Sequence, residues 1–100
     1  MQPPRPKVKI ASEVIPVLRE ETGNRRNVLL QALFALFEDL PREAGGFLDA
    51  VSPAGFQHCF VWSRILISGE RQWRLAAIVN RAGWPNLLWV VDVFVRELEA

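Results

Sequence analysis

Three charged residues stand inside otherwise apolar stretches of this sequence: Arg64 in FVWSRILIS, Arg74 in RQWRLAAIV and Asp92 in LLWVVDVFV. A guanidinium or carboxylate carried into a sheet costs desolvation free energy unless it finds a partner. One way to meet that cost is a cross-strand ion pair on a half-exposed face, a structural role only. The other way is an external anion. Arg64 and Arg74 would then present forked donors to phosphate, holding an RNA backbone or stabilising charge during phosphoryl transfer, with Asp92 positioning one arginine or acting as a base.

His58 is the only histidine, the side-chain type ordinarily used for proton transfer near neutral pH. It is placed to act as an acid or base beside the sheet, or to hold a loop-to-strand junction by hydrogen bonding. Its neighbour Cys59 is the only cysteine, so no internal disulfide forms, and in HCFV it reads as a small buried hydrophobe. One His beside one Cys does not supply the spaced ligands of a metal site. The glycine-containing stretches GNRR and AGGF lack the lysine and hydroxyl of a nucleotide cradle, so no cofactor is expected.

Arg25 and Arg26 fall at a predicted helix start, the unfavourable end for positive charge. With Arg5, Lys7 and Lys9 they form either a basic rim for an anionic partner or a solvated flank. The four tryptophans are stacking or contact platforms, or core. Trp89 reads as core because its strand face is apolar, and Trp84, in AGWPN, as the tryptophan best placed for an exposed contact.

These groups must be positioned by one small domain spanning residues 1–100, since 100 residues leave little room for a second core. The 12 basic and 11 acidic residues nearly cancel, so attraction of a polyanion has to come from a local cluster of arginines. The start, MQPPRPKVK, has no apolar run of signal-peptide length, and NLLWVVDVFV is too short for a membrane helix and carries Asp92. The expectation is a cytoplasmic protein with no membrane partner.

Pro3, Pro4 and Pro6 keep the start extended, and KVKI supplies a short strand with Val8 and Ile10 on one face. Ser12 caps a first helix carrying Val14, Val17 and Leu18; TGN at 22–24 stops it and supplies a fresh cap at Asn24. A second helix follows, with Leu29, Leu33, Phe37 and Leu40 on one stripe, Leu30 and Phe34 widening it, and Pro41 ending it. Residues 41–57 read as loop, with a turn of helix around 47–51.

Three strand runs then follow, joined by GE at 69–70 and NRAGWP at 80–85, short links that favour an antiparallel meander. Alternation puts Trp62, Arg64 and Leu66 on one face of the first. In the last it puts Leu88, Val90, Asp92, Phe94 and Arg96 opposite Leu87, Trp89, Val91, Val93 and Val95. The predicted fold is α+β: two N-terminal helices packed on a small, mostly antiparallel sheet, in the order β-α-α-β-β-β. Its outer face gathers Arg64, Arg74 and Asp92.

This order of elements, with FVWSRILISG, RQWRLAAIVN and LLWVVDVFVRE as the strand pieces, resembles the small toxins of the RelE/ParE superfamily, including the phage-related HigB branch. The likeness aligns Arg64 and Arg74 with the family's basic strand positions, and Phe94 and Arg96 with the aromatic and basic residues of its final strand. It implies the toxin of a type II toxin-antitoxin system, neutralised by a cognate antitoxin. RelE-like and HigB-like members cleave mRNA on the ribosome by attack of a ribose 2′-hydroxyl on the adjacent phosphate; ParE-like members act on DNA gyrase without nuclease chemistry. This chain lacks the tyrosine and most of the lysines common in the nuclease members.

Overall fold

The computed structural model describes residues 5–99, so Pro3 and Pro4 lie outside the described residues. The elements are β1 (Lys7–Ile10), α1 (Val14–Glu21), α2 (Arg26–Phe34), a π-helical turn (Ala35–Asp39), α3 (Leu40–Glu43), a 3₁₀ turn (Ala44–Phe47), β2 (Cys59–Ser68), β3 (Arg71–Asn80) and β4 (Leu87–Leu98). The class is α+β, as expected. The helices, however, lie between β1 and the meander rather than opening the chain.

The sheet order is β1-β4-β3-β2. The meander is antiparallel, but β1 pairs parallel to β4, Lys7 opposite Leu87 and Ile10 opposite Val90, so the sheet is mixed. Strand β1 covers only the first part of β4, which leaves the rest of β4 as an edge.

The inner face carries Phe60, Trp62 and Leu66 from β2, Trp73, Leu75, Ala77 and Val79 from β3, and Leu88, Val90, Val93 and Val95 from β4, all buried. Burying a leucine or phenylalanine contributes about 2 kcal/mol, so this layer supplies most of the driving force for the fold. Between Ile78 and Val79 the register of β3 against β4 shifts, with Ile78 opposite Asp92 and Val79 opposite Val90. Val91 is the extra residue of a β-bulge, and it inverts the alternation. Leu88 and Val90 therefore face inward while Asp92, Phe94 and Arg96 face outward, although simple alternation places all five together. For the same reason Trp89 is not core: it is 42% exposed on the outer face.

The expected apolar stripe of the second helix is also redistributed. Its fully buried residues are Val28, Ala32, Ala35, Leu36 and Leu40, with Leu29 and Leu33 partly buried, whereas Leu30, Phe34 and Phe37 are exposed. The sheet beneath already presents bulky side chains, so the helix sets its alanines against it and turns the phenylalanines away.

The helix does not end at Pro41 either. Leu40 donates its amide to the Ala35 carbonyl, one residue further back than in an α-helix, and Pro41 enters α3 in its first turn. The wider turn accommodates a proline ring that would otherwise press on the preceding turn.

Neither expected helix cap forms. The residue before α1 is Glu13, which accepts the Ser12 hydroxyl at 3.2 Å. Asn24 adopts φ 57°, and α2 starts after Arg25.

Candidate functional site

Strand pleating and the Val91 bulge together decide which polar groups share a face. Residues 61, 63, 65 and 67 of β2 point outward, in rows with 78, 76, 74 and 72 of β3 and with 92, 94, 96 and 98 of β4. Helices cover only the other side. The outer face therefore presents Arg74 and Arg96 directly opposite each other, Ile65 beside Arg74, Phe94 in the next row, and Asp92 one row further on.

Like charges directly opposite on adjacent strands are destabilising. Among the described residues, no ion pair relieves Arg74 or Arg96. Phe94 is 50% exposed alongside them. At the β1 side of the same face the Lys9 ammonium lies 5.7 Å from the centre of the Trp89 ring. With Lys7, the strands of this face carry four cations against the single carboxylate of Asp92. The near-neutral chain thus has a locally basic, aromatic surface.

Arg64 does not belong to it. Ile65, not Arg64, sits beside Arg74, and Arg64 points to the helical side with Trp62 and Leu66. There it is salt-bridged to Glu43, with its Nε 3.7 Å from Asp39 and its guanidinium 5.2 Å from the Trp62 ring centre. The trio Arg64, Arg74 and Asp92 is therefore split across the sheet, because the even-numbered residues of β2 are the ones the helices cover.

Asp92 is on the outer face but pairs with neither arginine. Its Oδ1 accepts the Val93 amide at 2.9 Å, satisfying a backbone donor beside the bulge. Four residues separate it from Arg96, about 13 Å along a strand. His58 is exposed with φ 59° at the mouth of β2, and its carbonyl accepts the Arg81 amide at 2.8 Å. It lies seven residues from Ile65, roughly 23 Å from the arginine row. Neither is within the approximately 3 Å needed for proton transfer at that row.

Arg25 and Trp84 have partners inside the fold. The Arg25 guanidinium lies 5.9 Å from the Trp73 ring centre, so this charge near a helix start is held by an aromatic face. Arg26 is exposed at the start of α2. Trp84 is partly buried against the core and packs beside Gly45, so it is less open than its turn implied. Burial pushes the Cys59 thiol up, with the charge of Arg81 offsetting part of the rise.

Sequence reasoning missed Arg81, whose guanidinium donates to the Cys59 and Ala50 carbonyls at 3.0 and 3.1 Å. It also missed Gln31, which grips both backbone groups of Ile67. Both are long polar side chains acting on distant backbone, and nothing in their local sequence marks that role. Among the described residues there is no group of three or more metal-ligating side chains, and no helix long and apolar enough to cross a membrane.

Fold and site together define a two-layer α+β domain with one helix-covered sheet face and one open face bearing an unrelieved arginine pair. No protein-family profile, curated protein or solved structure matches the chain.

Proposed function

We propose that the protein is the toxin of a type II toxin-antitoxin system that grips mRNA on the open face of its sheet. The observation that carries this reading is the Arg74–Arg96 pair, two guanidiniums set opposite each other beside exposed Phe94 with no carboxylate between them. An RNA strand would turn that repulsion into attraction: each guanidinium offers paired donors to phosphate oxygens, and the Phe94 ring offers a face to a base. In cleavage by a ribose 2′-hydroxyl, the same pair would stabilise the charge gathering on the phosphate oxygens. Arg64 has no part in this, being held on the opposite face.

No described acid or base reaches the arginine row, so proton transfer falls to groups that the ribosome brings, and cleavage is ribosome-dependent. Such a toxin works in the cytoplasm and is neutralised by a cognate antitoxin that covers the arginine face. Induced expression, followed by 5′-end mapping of mRNA with and without ribosomes, tests this. Growth arrest with ribosome-dependent cleavage, abolished in an Arg74→Ala/Arg96→Ala variant, supports it; uncut mRNA during arrest overturns it.

A second reading, a non-catalytic toxin acting on a protein target such as DNA gyrase, draws on the apolar groups of the same face. Val61, Ile65, Ile67, Trp89 and Phe94 are all exposed there, an arrangement suited to a protein contact. Arrest that persists in the double arginine variant with mRNA intact favours this alternative.

A further inference from the structure

An edge strand exposes a row of backbone donors and acceptors, and folded proteins generally blunt such rows. In this fold one stretch stands open over three successive outward-facing residues. Strand β1 is four residues long, follows Pro6 and carries Lys7 and Lys9. The uncovered part of β4 has its Val93 amide taken by Asp92 and its Val95 amide by the Glu21 carboxylate at 2.6 Å.

On β2 the direction of each backbone group follows from two bonds. The His58 carbonyl points to β3, where it meets the Arg81 amide, so the even-numbered residues face β3 and the odd-numbered ones face away. Ile67 agrees: its amide donates to Gln31 Oε1 at 3.1 Å, and its carbonyl accepts from Gln31 Nε2 at 2.6 Å. At the other end the Cys59 carbonyl is held by Arg81. Between these two staples, both backbone groups of Val61, Ser63 and Ile65 point outward, and among the described residues nothing meets them.

The staples stand four residues either side of Ser63, so the open slot is symmetric about that residue. We propose that β2 pairs with β2 of a second copy of this chain, antiparallel, about a two-fold axis at Ser63. That register sets Ser63 against its own counterpart and Val61 against Ile65, so all six outward groups of each copy find partners. It matches hydroxyl to hydroxyl and aliphatic to aliphatic on the outer face, the self-complementarity an isologous interface requires.

On the helical side the register sets Trp62 opposite Arg64 of the second copy, repeating the guanidinium-over-indole contact that each copy already makes at 5.2 Å. Arg64 brings positive charge to the joint, and Asp39 and Glu43 bring negative charge, so each copy offers both signs to the other. Beside the edge is an open groove of ≈ 340 Å³ with Leu30, Phe34, Arg64 and Ile65 in its walls. Phe34, 61% exposed in the single chain, and Leu30 then lie against the second copy instead of water. Two four-stranded sheets become one of eight strands. Arg74 and Arg96 lie on β3 and β4, one and two strands in from this joint, so the dimer stands or falls independently of the proposed RNA contact.

Sedimentation velocity over micromolar to millimolar concentrations of the full chain tests the proposal. The wild type is expected to sediment as a dimer. Ser63→Pro removes an amide that faces away from β3, so the fold is retained while two intersubunit hydrogen bonds disappear, weakening association roughly tenfold or more. Should that variant fail to fold, Ile65→Lys charges the same edge without touching the backbone and is expected to dissociate the dimer. Ser63→Cys is expected to cross-link under mild oxidation, whereas Gln72→Cys, exposed on the next strand, is not. A wild type that stays monomeric throughout, a dimer indifferent to Ile65→Lys, or cross-linking no faster at 63 than at 72 overturns the proposal.

Discussion

Glu43, at the end of the helical layer, is salt-bridged to Arg64 on β2 and accepts the Trp62 indole N–H at 3.3 Å with its other carboxylate oxygen. One side chain thereby ties the last turn of α3 to the inner face of the sheet and orients both a cation and the aromatic ring on which it lies. Arg64→Ala removes the ion pair and leaves Glu43 and Asp39 without a counter-charge. Because both partners are partly exposed, the expected loss is about 1 kcal/mol. Urea denaturation measures it, and RNA affinity is expected to stay unchanged. A loss of RNA binding in a folded Arg64→Ala protein would show that the open face is not the working surface.

The arginines of the outer face behave in the opposite sense. Replacing Arg74 or Arg96 with alanine removes a like-charge opposition, so stability is expected to rise or hold within about 0.5 kcal/mol. Affinity for single-stranded RNA, followed by fluorescence anisotropy, is expected to fall. The slope of log affinity against log salt is expected to become shallower by about 0.7 for each phosphate that the variant no longer neutralises.

Gly83 is fixed by space rather than by backbone angle. A Cβ there would stand 2.9 Å from the Leu87 Cβ and 3.3 Å from the Leu87 carbonyl oxygen. The Gly83 carbonyl accepts the amides of Asn86 and Leu87, which launch β4. Gly83→Ala therefore forces the turn to shift, and thermal denaturation is expected to show a loss of about 1–3 kcal/mol.

The pair Arg71–Glu97 predicts an acid dependence. Arg71 donates to the two Glu97 oxygens at 2.7 and 2.8 Å. That hydrogen bonding, opposed by some desolvation and aided by the charges of Arg71 and Arg25, holds the Glu97 carboxyl below its usual range. A group whose pKa is lower in the folded state stabilises at pH above its unfolded value, about 4.3 for glutamate, and loses that stabilisation as pH falls through the folded value. Thermal melts across acid pH are expected to fall more steeply for the wild type than for Glu97→Gln, with the two converging at the acid end.

Much of the fold is legible in the chain itself. The period-two runs around Trp62, Leu75 and Val93 mark three strands, the two short links mark an antiparallel meander, and KVKI marks a first strand. The aromatic and charged groups of the outer face are legible one by one: Arg74, Phe94, Arg96 and Asp92. Their grouping is not. Regular alternation sets Arg64 with Arg74, and Leu88 with Asp92, because it assumes unbroken strands with a known inner side.

What the sequence determined alone was therefore the four strands and the two main helices, because apolar spacing and turn chemistry act over a few residues. Tertiary structure decided which side of each strand is inside. Both faces of β2 carry large apolar residues, so only the docking of the helices sends Arg64 toward Glu43. The Val91 bulge, absorbed in the pairing of β4 with β3, turns Phe94 and Arg96 outward. Gln31 and Arg81 find their backbone partners 36 and 22 residues away, at Ile67 and Cys59. Such contacts depend on the packed arrangement of whole elements, which no local pattern encodes.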